Sequence, residues 1–206
     1  MTIINSVIKG GGTQPSGKYA LLDRVKDDSN NEIGTVVGFH TDANNTEYAV
    51  IALDAAYRLA TGQLTSATGA ITDLPTYANA GAYGAKETAT FNCDKILAKC
   101  TTSGWTSSAL THCRAQSFTI AGDTYAGQLP TIMELLKILE CREAVNTADP
   151  TASTYSSLII PNNQNMWAST ALNANSAWYV TSDGSTSYAS RTNNYFVAPV
   201  LEIPNA

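Results

Sequence analysis

The stretch SAWYVTSDGSTSYASRTNNYFVAPVLEI (Ser176–Ile203) decides the architecture of this chain. SAWYVTS and STSYAS are β-prone runs on either side of Asp183-Gly184, the strongest short hairpin signal in the sequence, because an Asp-Gly pair suits a tight two-residue turn. NNYFVAPVLEI then predicts a last strand ending near Ile203, placed to pair with early strands and bring the two chain ends together.

Those early strands are IGTVVGFH and EYAVIALD, separated by the turn formers TDANNT, which reads as an antiparallel pair. Helical spacing occupies the middle of the chain. NCDKILAKCTT and SALTHCRAQSF are two helices, with Thr88, Thr90 or Asn92 as candidate caps of the first. GQLPTIMELLKILECREAVNTA is the clearest helix: Thr131 caps it, Glu134 completes a capping box, and Ile132, Leu135, Leu136 and Leu139 form its apolar face. Residues 55–90 lack sustained periodicity and read as a long surface excursion with short helical or strand pieces. Strands, then helices, then strands predict an α+β fold with an antiparallel sheet, not a parallel α/β sheet.

Composition limits the functions open to such a fold. Of the 206 residues 44% are hydrophobic, enough for one sizeable core, but only 14% are charged, well below the usual quarter. A net charge of −5 and no visible basic patch argue against sequence-independent nucleic-acid binding. No stretch has the length needed to cross a bilayer, so no membrane insertion is expected. The N-terminal TIINSVI is strand-like and KGGGTQPSG is a turn-rich linker, so residues 1–20 read as an arm preceding a domain over 21–206. The short apolar start also lacks a signal-peptide core.

Catalytic constellations are not evident. KGGGTQPSGK lacks phosphate-loop spacing and reads as linker. His112 and Cys113, adjacent on a helix, point to different faces, so they make no catalytic couple. Cys93, Cys100, Cys113 and Cys141 match no zinc pattern and read first as small buried apolar residues, with a Cys93–Cys100 disulfide as the alternative and no metal. Asp23, Asp27 and Asp28 beside Arg24 and Lys26, like Glu140 and Glu143 beside Arg142, read as solvated charged surface. An enzyme and a cofactor are therefore not expected.

The C-terminal run is unusual as a whole. From Pro150 to Val200 the only charged side chains are Asp183 and Arg191; amides come from Asn162, Asn163, Asn165, Asn173, Asn175, Asn193 and Asn194, and aromatic area from Trp167, Trp178, Tyr179, Tyr188 and Tyr195. Asn, Ser and Tyr are the vocabulary of binding loops, because they give contact area and adaptable hydrogen bonds at low entropic cost. The tryptophans read as core, and the polar and tyrosine positions between them as the binding face.

IGTVVGF, YAVIALD, CDKI, HCRAQSF, GQLPTIMELLKI and MWASTALNANSAWYV…GSTSYASRTNNYFVAPVL, in this order, resemble C-type lectin-like domains related to the formylglycine-generating-enzyme fold. The resemblance is to target-binding proteins of phages and gut bacteria, including variable proteins of diversity-generating retroelements, over roughly Ile33 to Ile203. It implies a C-type lectin-like fold with an antiparallel sheet, two or three helices and a long irregular loop region. It also implies a platform of Trp167, Trp178, Val180, Val197 and Val200. The implied ligand-binding positions are Asn173, Asn175, Ser176, Tyr179, Ser182, Ser185, Ser187, Tyr188, Ser190, Asn193, Asn194 and Tyr195.

Formylglycine-generating activity needs a pair of cysteines near the C-terminal end, and none follows Cys141. WASTALNANSAW has no carboxylate, which argues against a calcium-dependent sugar site. The arm is similar to attachment segments of phage fibres. The expectation is a non-enzymatic virion fibre protein, assembled in the host cytoplasm, adhering to a host-surface protein or glycan. It would be held to other virion proteins through residues 1–20, and a homotrimer by analogy with fibres. The alternative is a decoration or assembly protein that packs only against other virion subunits.

Overall fold

A computed structural model describes residues 18–78, 82, 86–148 and 164–205. The strand-like segment of the arm, and Asn162 and Asn163, lie outside these residues. Eleven strands and four α-helices are found among the described residues. The chain is α+β, and its sheets are antiparallel apart from one parallel contact, β10 against β7.

The first sheet has the order β1-β2-β3-β11, built from Arg24–Lys26, Glu32–Thr41, Glu47–Leu53 and Val200–Pro204. The expected hairpin of β2 and β3 forms, with a register shift between Val36 and Gly38. The last strand lies against β3 from Val200↔Ala52 to Pro204↔Tyr48. Tyr19 N–H donates to Asn205 Oδ1 at 2.8 Å, so the two ends of the described chain meet. Gly34 permits the close approach of β2 and β3, since a Cβ there would stand 2.4 Å from the Ala52 carbonyl oxygen.

The second sheet has the order β4-β10-β7-β8-β9, from Leu59–Gln63, Asn194–Val197, Asn165–Ala171, Ser176–Thr181 and Thr186–Ser190. Asp183-Gly184 turns β8 into β9, with Gly184 at φ 91°. Strands β5 (Ser117–Ile120) and β6 (Asp123–Ala126) form a small separate ribbon.

Alternation along β7, β8 and β10 divides two cores across this sheet. Met166, Ala168, Trp178, Val180 and Phe196 pack with Ile132, Leu135 and Ile138 of α3 (Ile132–Glu140). Trp167, Ala171, Ala177 and Val197 pack with α1 (Ala89–Ser103) and α2 (Ser108–Ala115) through Cys93, Ile96, Cys100, Ala109, Leu110 and Cys113. A third cluster, including Val36, Ile51, Leu53 and Leu201, covers the other face of the first sheet.

Several expectations need correction. Residues 55–90 contain a short strand, Leu59–Gln63, as expected of short pieces, but they are not all surface: Leu64, Ile71 and Leu74 are buried. A five-residue strand whose partner lies over 130 positions later leaves no local period to read. The long helix breaks at Cys141 and resumes as α4 (Arg142–Ala148). The deepest residues of α3 are Ile132, Leu135 and Ile138, with Leu139 half-buried, because the helix phase is set by the sheet beneath it. Thr88, not Thr90 or Asn92, caps α1; Thr131 and Glu134 do make the capping box. The Asp23–Asp28 segment is not merely solvated. Arg24 forks onto buried Asp54, and Asp28 accepts the Ala121 and Gly122 N–H groups.

Candidate functional site

Two turns and one loop meet at Arg191. Its N–H donates to the Asn175 carbonyl and its carbonyl accepts from Thr65 N–H, which ties the β9–β10 turn to the β7–β8 turn and to the loop after β4. Its Nη2 donates to the carbonyls of Asn173 at 2.9 Å and Gly69 at 3.3 Å, and to that of Ala174. The side chain is 1% exposed, and burial away from any carboxylate lowers its pKa. Backbone carbonyls in place of a counter-ion hold a charge here, and the energetic return is rigidity of three segments that share one donor.

Asn173 reinforces the junction from outside: its Oδ1 accepts from the N–H groups of Asn175 and Ser176, at 2.8 and 2.9 Å, in an Asx turn. Around this frame Asn173, Asn175 and Asn193 are exposed and Ser176 and Ser190 half-buried. A half-open cleft of ≈ 80 Å³ enters beside it, walled by Ile71, Leu74, Ala171 and Asn173 with Arg191 at its base.

An aromatic cluster adjoins the junction. Tyr195 lies 4.5 Å from Trp167 and Tyr179 lies 4.9 Å from Tyr195, centroid to centroid. Trp167 itself is fully buried, and its indole N–H donates to Gly62 O at 3.0 Å. Asn193 Nδ2 reaches the Tyr195 hydroxyl at 3.2 Å, linking the tyrosines to the β9–β10 turn. Ser187 pairs across the ladder with Tyr179 and so shares its face.

The twelve sequence-predicted positions are therefore not one surface. Asn173, Asn175, Ser176, Ser190 and Asn193 surround Arg191; Tyr179, Ser187 and Tyr195 belong to the adjoining aromatic face; Asn194 pairs with Gln63 on β4. Tyr188 stands on the opposite face, 57% exposed and edge-on to Trp178 at 6.2 Å. Ser182 and Ser185 lie at the other end of the β8–β9 hairpin. There Asp183 accepts from the Thr181 hydroxyl and from Ser185 N–H, contacts that hold its carboxylate below the usual range. Arg142 donates to the Ser182 carbonyl.

The expected platform residues Trp167, Trp178, Val180, Val197 and Val200 are all buried, which leaves the Asn, Ser and Tyr positions between them to face outward. Sequence reasoning missed Arg191 and the partner loop around Gly69 and Ile71. One signal for Arg191 was present: the lone cation between Pro150 and Val200, where the only other charge is Asp183, has to be accounted for individually.

The cysteines Cys93, Cys100 and Cys113 are buried and Cys141 is half-buried. Cys93, Cys100, Cys113 and Cys141 are free thiols, and the Cys93–Cys100 bridge does not form. Burial raises the pKa of each, most for Cys93 and Cys113 in the core. A buried neutral thiol is a poor nucleophile. His112 is half-buried on α2 and bonds the Tyr57 carbonyl at 2.7 Å. Among the described residues no three His, Cys, Asp or Glu side chains converge as metal ligands, and no helix is long and apolar enough to cross a membrane. No model of a known protein family matches the chain, and neither does any curated protein.

Proposed function

We propose that this chain is a non-enzymatic adhesion protein of a phage virion, displaying a C-type lectin-like domain that binds a host-surface protein or glycan. The observation that carries this reading is the division of labour in residues 164–205. Large apolar side chains are buried, the turn amides Asn173, Asn175 and Asn193 are exposed, and the turns carrying them are cross-tied by Arg191. Rigid support beneath adaptable polar groups lowers the entropic cost of binding, which is how recognition loops reach useful affinity. The lectin-like reading of the fold draws support from the strand–helix–strand order, from β11 closing onto β3, and from the irregular segments between β4 and β10. Attachment through residues 1–20 and a homotrimeric fibre complete the proposal.

Within the run, the proposed binding site centres on the Arg191 junction and the adjoining Tyr179/Tyr195 face. The test is binding of the fluorescently labelled protein to host cells. Asn175→Ala combined with Asn193→Ala should weaken binding at least about tenfold, as loss of central contacts does, with the thermal melt unchanged. Tyr188→Ser should leave it intact. Unaltered binding by the double variant removes the site assignment. Loss on Tyr188→Ser alone, together with failure to incorporate into particles, favours the assembly reading.

A further inference from the structure

Two glutamates lie side by side in the interior, on elements far apart in the chain. Glu202 on β11 is 8% exposed and accepts three hydrogen bonds from the start of α1: Ala89 N–H at 2.7 Å, Thr90 N–H at 2.8 Å and the Thr90 hydroxyl at 2.7 Å. Glu134, the capping-box residue of α3, is fully buried. Its Oε2 accepts Thr131 N–H at 2.7 Å, while Oε1 has no donor among the described residues. After burial, the Glu202 carboxylate is the group that acts most strongly on Glu134, which sets the two side chains within interaction range of each other.

Two carboxylates in contact inside a protein repel one another and have no proton between them with which to bond. One proton removes both difficulties. Carried on Glu134 Oε1, it gives that oxygen a partner and turns repulsion into a charge-assisted O–H···O⁻ bond. It belongs on Glu134 because the Glu202 oxygens already accept three hydrogen bonds at the start of α1, whereas Glu134 Oε1 accepts none. We propose that Glu134 and Glu202 share one proton, forming a carboxyl–carboxylate latch that fastens the N-termini of α1 and α3 to the last strand and loosens as the medium becomes alkaline.

The surroundings supply no competing charge. From α1 the pair is faced by Cys93 and from β3 by Tyr48; burial raises both, so thiol and phenol stay neutral through the physiological range. Lys137 of α3 donates to the Phe39 carbonyl, His40 of β2 bonds the Lys86 carbonyl, Glu87 accepts from the Tyr77 hydroxyl, and Arg114 of α2 pairs with Asp94. Burial first, and then the Glu202 charge, raise Glu134 well above the usual carboxylate range. In the unfolded chain Glu134 has its ordinary value. The proton's contribution is therefore complete in acid below that ordinary value and is lost as pH climbs to the raised folded value.

Denaturant unfolding of the whole chain between pH 5 and pH 9 tests this, with native protein compared with Glu134→Gln. A Gln amide can donate permanently where the carboxyl donates only when protonated. The native folded-to-unfolded ratio should fall by up to about tenfold per pH unit relative to the variant, the limit for one proton. Identical pH dependence in the two proteins overturns the latch. Infrared spectroscopy of the folded proteins in D₂O at neutral pD supplies a readout that does not need the variants to be stable. The native protein should show the carbonyl stretch of a protonated carboxylic acid, and its absence overturns the proposal. Glu134→Gln or Glu202→Gln, whichever folds, should lack the band.

Discussion

Arg24 and Arg191 are both drawn into the molecule, and they are held in opposite ways. Arg24 on β1 forks onto Asp54 at 2.7 and 2.6 Å, and Glu32 adds a contact at 3.2 Å. That pairing raises its pKa, and Asp54 is almost completely buried. Arg191 has no carboxylate, only three carbonyls from two other segments, and burial lowers its pKa. The Arg24 pair fixes one strand to the end of another and serves stability. Arg191 forgoes a counter-ion and in exchange organises loops, while the outer surface there stays neutral. The contrast separates a region that joins strands from one that fixes the shape of turns and loops.

The largest expected effect comes from breaking the paired side. Asp54→Ala leaves Arg24 partly buried without its main anion and should cost about 3 kcal/mol in denaturant unfolding, the lower end for a broken buried pair because Glu32 remains. A loss under about 1 kcal/mol would place the pair with ordinary surface bridges.

Arg191→Met should cost less, about 1–2 kcal/mol. It takes the side-chain donor from the Asn173 and Gly69 carbonyls, leaves that of Ala174 with the Gly69 N–H, and also removes a desolvated charge. Its signature is local: amide exchange should accelerate at Thr65, Arg191 and neighbours in the three joined segments, while β2 and β3 stay protected. Uniform acceleration through both sheets would make Arg191 a general stability residue and erase the contrast. The smallest effect belongs to Tyr188→Ser, within about 0.5 kcal/mol, because an exposed ring away from the packed aromatic cluster contributes little to the core. A larger loss would mean that the Trp178 contact closes the core on that face.

Much of this organisation was legible in the chain. The β2–β3 pair, the Asp183-Gly184 turn, the Thr131/Glu134 box and the burial of Trp167 and Trp178 all rest on signals confined to a few neighbouring residues. The candidate site was legible only as a vocabulary. Asn, Ser and Tyr marked the run in which the candidate site is proposed, but pairing Trp178 with Tyr188 and Tyr179 with Ser187 puts those two tyrosines on opposite faces. Strand alternation allows that division to be anticipated, whereas the meeting of Tyr195 with Tyr179 and Trp167 depends on how β10 crosses to β7.

By itself the sequence determined the α+β class, the strand–helix–strand order of the main elements, the β2–β3 and β8–β9 hairpins, the Thr131/Glu134 cap and the scarcity of charge in the C-terminal run. Each follows from backbone preference or side-chain type over a short span. Tertiary structure alone decided that Leu59–Gln63 joins the second sheet and that Arg191 binds carbonyls more than a hundred residues away in sequence as well as nearby. It also decided that Glu134 faces Glu202. A capping glutamate looks the same in sequence whether its outer oxygen meets water or a second carboxylate; only packing of distant elements removes the water and makes the difference a matter of one proton.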